Sequence, residues 1–104
     1  DLPKALNIGN QNKHILGSKG YIEGRSYLYG THEDAQALVT QYHSTGEPRF
    51  DRKGNWTNRE VVTVYHDIGV CLDLNGASEV TNAFVIHYGK KGTHIVPAAR
   101  KVYR

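Results

Sequence analysis

The sequence predicts an α+β domain: an N-terminal helical or irregular segment packed on an antiparallel β-sheet of four strands, within a range of three to five. Three observations carry this. Residues 31–43, THEDAQALVTQYH, set Ala35, Leu38, Val39 and Tyr42 at i, i+3, i+4 and i+7, one apolar stripe of a helix. After residue 58 the chain turns to β-branched and apolar runs, REVVTVYHD, IGVCLDL, VTNAFVIHY and THIVPA, which favour strands. The first thirty residues carry Gly9, Gly17, Gly20, Gly24 and Gly30 without a sustained period.

Taken in order, NQNKHIL (10–16) can form a short helix and GRSYLYG (24–30) a short strand. The 31–43 helix has its own start signal. Thr31 is placed to cap, Asp34 stands at the third helical position as in a capping box, and Glu33 lies in the first turn. STGEPRFDRKGNW (44–56) then breaks the helix and reads as a loop, punctuated by Gly46, Pro48 and Gly54. The strand runs follow as a meander, LNGAS (74–78) making one of its turns. The 31–43 helix is expected to lie over one face of that meander.

Size and composition bound the function. A chain of 104 residues makes one domain. Its mean hydropathy of −0.56 describes a polar-surfaced globule. No apolar run approaches the roughly 18 residues that span a membrane, so no membrane anchoring is expected, and DLPKALNIGN is not built like a signal peptide. Cys71 is the single cysteine, which excludes a disulfide scaffold; within GVCLDL it reads as a small buried hydrophobe. The net charge of +3 permits a nucleic-acid partner without requiring one. Seven tyrosines and one tryptophan offer rings on which bases stack.

The segment IHYGKKGTHIVP, residues 86–97, raises the sharpest question. With Gly89, Lys90, Lys91 and Gly92 as a four-residue hairpin loop, Tyr88 faces Thr93 and His87 faces His94. Directly opposed residues share a face with Cβ atoms about 4.5–5.5 Å apart. Alternation then sends Phe84, Ile86, Tyr88 and Ile95 to the core face. An imidazole near its ordinary pKa gives or takes a proton at neutral pH. Two of them beside cations suit cleavage of RNA by its own 2′-hydroxyl, in which one group removes that proton, another protonates the 5′-oxygen, and a cation steadies the phosphoryl charge. An ordinary basic hairpin with partly buried histidines stays open.

A second cluster, Lys13–His14 with Arg25–Ser26–Tyr27, reads as part of such a site or as a solvated basic stretch. Glu60 reads as a carboxylate that orients a histidine or as a strand-edge charge. His32, His43 and His66 fit surface or helix-end positions. The His87–His94 spacing is not a short zinc pattern, and neither a cysteine pair nor HExxH occurs, so no metal and no cofactor is expected. No P-loop, GxGxxG or GxSxG motif occurs.

QNKHILG (11–17), GRSYL (24–28), STGEPRFDRKGNWTNREVV (44–62) and IHYGKKGTHIVPA (86–98) together resemble the polymorphic-toxin type 50 family. The resemblance covers about residues 10–100 and is most specific in the last motif. It implies the fold shared by barnase, EndoU, the RNase colicins and RelE, and a metal-independent endoribonuclease toxin at the C-terminus of a larger delivered protein. Residues 1–9 would be linker to that carrier. The domain would be secreted or presented at the cell surface and would act in the cytoplasm of a target bacterium, as in contact-dependent growth inhibition. A cognate acidic immunity protein would neutralise it.

By position the resemblance singles out Lys13, His14, Arg25, Ser26, Glu60, His87, Tyr88, Lys90, Thr93 and His94. The catalytic residues expected are His14, His87 and His94 for proton transfer, with Arg25 and Thr93 at the phosphoryl group. Lys13, Ser26 and Lys90 would bind the substrate, and Tyr88 or Trp56 would stack a base. The family pattern has serine where this chain has Gly89 and lacks histidine at 32, 43 and 66. No catalytic role is therefore given to Gly89. RNA, with transfer RNA a candidate, and the immunity protein are the expected partners of a monomer. A noncatalytic RNA-binding or phage virion-associated module is the alternative, and a protein-interaction domain with an acidic inhibitor a third.

Overall fold

A computed structural model describes residues 2–102. The fold is α+β. Two helices, α1 (Ile8–Asn12) and α2 (His32–Tyr42), accompany seven strands: β1 (Tyr27–Leu28), β2 (Glu47–Phe50), β3 (Trp56–Thr63), β4 (Gly69–Leu72), β5 (Ser78–Thr81), β6 (Ala83–His87) and β7 (His94–Ala98). They form two antiparallel sheets, one ordered β2-β3-β6-β7 and the other β1-β4-β5.

Helix α2 forms where its stripe and cap place it. The Thr31 backbone N–H donates to the Asp34 carboxylate at 2.8 Å and the Asp34 N–H donates back to the Thr31 hydroxyl, a reciprocal cap. Ala35 and Val39 are buried, and Leu38 and Tyr42 pack on the same cluster. There they meet Phe84, Ile86 and Ile95, all fully buried, with the Tyr42 ring edge-on to Phe84 at 6.3 Å between centroids. Burial of each such side chain is worth about 1.5–3 kcal/mol. One face of the four-stranded sheet is thereby the core, and the other faces away from α2.

Three expectations change. The 44–56 loop contains a strand, β2, at the edge of the sheet. Pro48 is tolerated there because an edge strand has a side that needs no donor. Gly46 lets β2 begin, since a Cβ at that position would strike the Val61 carbonyl. The IGVCLDL run leaves the meander and pairs with β1, Leu28 opposite Gly69. Any Cβ at residue 69 would collide with the Tyr27 carbonyl, so this close approach requires glycine. Cys71, on β4, is half-buried rather than buried.

The segment expected as linker, residues 1–9, is built into the fold from Leu2 onward, Leu2 packing on the core cluster and the Lys4 carbonyl accepting from the Gln36 amide at 3.0 Å. The Thr93 N–H donates to the Ala5 carbonyl at 3.0 Å and the Asn7 N–H donates to the Thr93 carbonyl at 2.8 Å. Gln11 continues the seam. Its buried amide donates to the Ile95 carbonyl at 2.9 Å and accepts from the Ile95 N–H at 2.7 Å, so one side chain mimics a strand residue along the open edge of β7. This seam delivers the residues that follow, Lys13 and His14, to the sheet. No helix among the described residues is long and apolar enough to cross a membrane.

Candidate functional site

On the face away from α2, one row crosses three strands. Arg59 of β3 pairs with His87 of β6, and His87 pairs with His94 of β7. Directly paired residues share a face, so a guanidinium and two imidazoles stand side by side. The His87 and His94 rings stack 4.7 Å apart with planes 8° from parallel. His14 extends the stack, 6.3 Å from His94 and tilted by 7°. The hairpin register expected from the Gly-Lys-Lys-Gly turn is the observed one, and the N-terminal segment brings the third imidazole to it.

His14 is held from both sides. Its carbonyl accepts from the Leu28 N–H at 2.9 Å, and its ring Nδ1 lies 2.8 Å from the Ser26 carbonyl oxygen. A carbonyl only accepts, so Nδ1 carries the proton and Nε2 of the neutral ring holds the lone pair. His14 is buried as a residue, and its Nε2, which has no hydrogen-bond partner among the described residues, is not fully sealed from solvent.

Electrostatics keep the stack neutral. Burial pushes the His87 pKa down to about 4, helped by the charges of His94, Arg59 and His14. Burial likewise pushes His94 down to about 4, with His14, Lys13 and Arg59 adding to it. His14 is also lowered, chiefly by burial, while its bond to Ser26 opposes the shift and Arg25 and Lys13 reinforce it. At pH 7 all three rings are therefore bases. A phosphate anion placed among them reverses the sign of the local charge and favours imidazolium.

The other sequence-selected residues divide. Lys13 and Arg25 are exposed and near enough to act on the imidazoles. Lys90 is exposed at the turn but is not among the principal charges acting on the rings. Thr93 is fully buried and its hydroxyl donates to the His87 carbonyl at 2.6 Å, so it braces the turn and does not reach a phosphoryl group. Ser26 accepts the Leu72 N–H at 2.9 Å and offers its carbonyl to His14, a supporting position rather than an open contact.

Glu60 lies on the opposite face from the histidines. Its carboxylate accepts from the Ser44 and Gly46 N–H groups at 2.9 and 2.7 Å and from the Tyr88 hydroxyl, so it orients a loop and a tyrosine, not an imidazole. Tyr88 and Trp56 are on that side too, their rings 5.8 Å apart. Sequence reasoning missed Arg59 and Gln11. The arginine is the cation immediately before Glu60, and knowledge of the β3–β6 register would have found it.

A small α+β domain with imidazoles and cations gathered on one open sheet face is, as a class, a domain equipped to handle anions and protons. The sequence matches the Bacterial toxin 50 family over residues 6–97. The chain belongs to that family, and the resemblance carried by the four motifs holds. No curated protein matches the chain at a significant level.

Proposed function

We propose that this toxin domain is an endoribonuclease that cuts RNA by transesterification on the Arg59–His87–His94 face. The observation that carries the reading is the parallel stack of His14, His94 and His87 beside Arg59. His14 Nε2, a lone pair at neutral pH, takes the proton of the 2′-hydroxyl. The 2′-oxygen bonds to phosphorus as the bond to the 5′-oxygen breaks. The His87–His94 pair supplies the proton that the leaving oxygen takes. Two imidazoliums 4.7 Å apart repel, so the pair carries one proton at a time. Arg59, with Lys13 and Arg25, offsets the charge on the phosphoryl oxygens. The products are a 2′,3′-cyclic phosphate and a 5′-hydroxyl, and no metal takes part.

In the same reading the domain reaches a target bacterium as part of a larger delivered protein, as in contact-dependent growth inhibition. Transfer RNA is a candidate substrate. The net charge of +3 suits an acidic immunity protein that covers the basic face.

The test is incubation of the purified domain with total RNA in EDTA. Fragments ending in 2′,3′-cyclic phosphate are expected, and His14→Ala and His94→Ala should each lower the rate about 10²–10⁴-fold with circular dichroism unchanged. Intact RNA overturns the proposal, and intact RNA with retained, salt-sensitive binding replaces it with a noncatalytic RNA-binding module.

A further inference from the structure

Behind the imidazole face, across strand β3, lies a cleft of about 550 Å³ whose lining includes Lys4, Ser44, Trp56, Asn58, Glu60 and Tyr88. We infer that this cleft is a nucleobase pocket that accepts one unpaired nucleotide of the RNA. The inference rests on the ribonuclease reading and adds the substrate class, single-stranded rather than duplex RNA.

The walls are those a base requires. Trp56 is 43% exposed, yet its Nε1–H donates to the Arg59 carbonyl at 2.9 Å, which fixes the indole plane at the cleft mouth. A large aromatic left open but held rigid is a stacking platform with little ordering entropy left to lose. Tyr88 forms the floor, its ring 50° from the indole plane and its hydroxyl donating to Glu60. Lys4 Nζ stands 5.1 Å above the centre of the Tyr88 ring and donates to the Leu2 carbonyl at 2.8 Å, which sets a cation in the cleft wall.

The rim is strained. Among the described residues, Ser44 (φ 66°) and Asn58 (φ 61°) are the only non-glycine residues in the left-handed region, and both line this cleft. Such conformations cost about 1–3 kcal/mol each and concentrate where a site needs them. Glu60 holds the Ser44 turn in place through two backbone N–H bonds.

Arg59 is flanked in β3 by Asn58 and Glu60, so cleft and imidazole row occupy the two faces of one strand. A flexible strand passing over the end of the sheet reaches both. A stacked, paired base cannot enter the cleft.

Trp56 is the single tryptophan, so its fluorescence reports the pocket directly. The whole domain is titrated with each of the four nucleoside 5′-monophosphates and with ribose 5-phosphate as a base-free control. Saturable quenching by at least one nucleotide is expected, with ribose 5-phosphate at least about fivefold weaker, as stacking worth roughly 1–3 kcal/mol per base requires. The quenching should persist in His94→Ala and weaken in Lys4→Ala. Equal quenching by ribose 5-phosphate overturns the pocket in favour of a plain anion site. An absence of quenching while RNA is still cut overturns the pocket alone; quenching with RNA left intact upholds the pocket as a nucleotide site and removes the nuclease reading.

Discussion

Acid should unfold this domain earlier than its carboxylates alone would, because the imidazole stack is neutral when folded. Free histidine titrates near 6.5, whereas His87 and His94 in the fold titrate near 4. Each gap of about 2.5 units, at 1.36 kcal/mol per unit, amounts to about 3 kcal/mol per ring. The rings are half-buried, and their mutual repulsion must be counted once, so the pair together is worth roughly 3–5 kcal/mol. The folded pKa lies below the unfolded one, so the contribution is whole above pH 6.5. It is lost as the pH falls from 6.5 towards 4. Spread over that window, the discounted sum of about 3–5 kcal/mol is an average slope of roughly 1–2 kcal/mol per pH unit for the pair. Against a typical total of about 5–15 kcal/mol that is a large fraction. His14 adds to the effect in the same direction. Asp51, held low by the backbone N–H groups of its turn, acts only below its ordinary value of 3.8 and so outside this window. The assay is urea denaturation followed by Trp56 fluorescence at pH 7.5, 6.5, 5.5 and 5.0, on the wild type and on His87→Gln/His94→Gln. The wild-type midpoint should fall steeply below pH 6.5, and the double variant should lose most of that slope. A flat wild-type profile, or an equal slope in the variant, refutes the view that the stack is neutral at pH 7.

Two further substitutions probe the parts that the sequence left unmarked. Arg59→Ala should reduce kcat/KM about 10²–10³-fold and move the acid limb of the pH–rate profile upward, because Arg59 lowers both His87 and His94; Arg59→Lys should restore part of the rate, and an unmoved profile would assign the arginine a structural role only. Gln11→Ala leaves the Ile95 N–H and carbonyl unpaired and should destabilise the fold by about 2–4 kcal/mol, read as a lower urea midpoint, with RNA cleavage falling because His14 loses its anchor; unchanged stability would mean that the seam closes without the glutamine.

What the sequence showed depended on how local the governing rule is. Helix α2 was legible because the Thr31–Asp34 cap and the 35–38–39–42 stripe lie within three turns. The His87–His94 pairing was legible because a tight loop fixes register and a strand alternates with period two. The same alternation already argued against two of the assigned roles. Thr93 neighbours a solvent-facing His94 and so must face inward, and Tyr88 neighbours His87 in the same way. Arg59 was hidden because its pairing with His87 joins residues 28 apart in sequence, and no short-range pattern sets that register. Gln11 was hidden for a different reason: a buried glutamine looks like any polar residue until the backbone edge it satisfies is known. The second sheet was hidden in the same way, since the need for glycine at residue 69 appears only when β1 lies against it.

In the proposed ribonuclease reaction, the cations and the burial around the stack serve opposite ends of one proton cycle. Without a substrate, Arg59, Lys13 and Arg25 add to desolvation and hold the imidazoles neutral, which suits a general base but leaves no acid. A phosphodiester bound among these residues brings negative charge to the same spot and cancels the field that suppressed protonation. The His87–His94 pair can then take up one proton, while His14 keeps its lone pair on Nε2 through its bond to Ser26. In that proposal acid and base are distinguished by what surrounds each ring: His14 by a carbonyl that fixes its tautomer, the pair by mutual stacking and by the neighbouring Arg59. On the proposed mechanism, identical side chains acquire different tasks, and the charge of the substrate itself completes the catalyst.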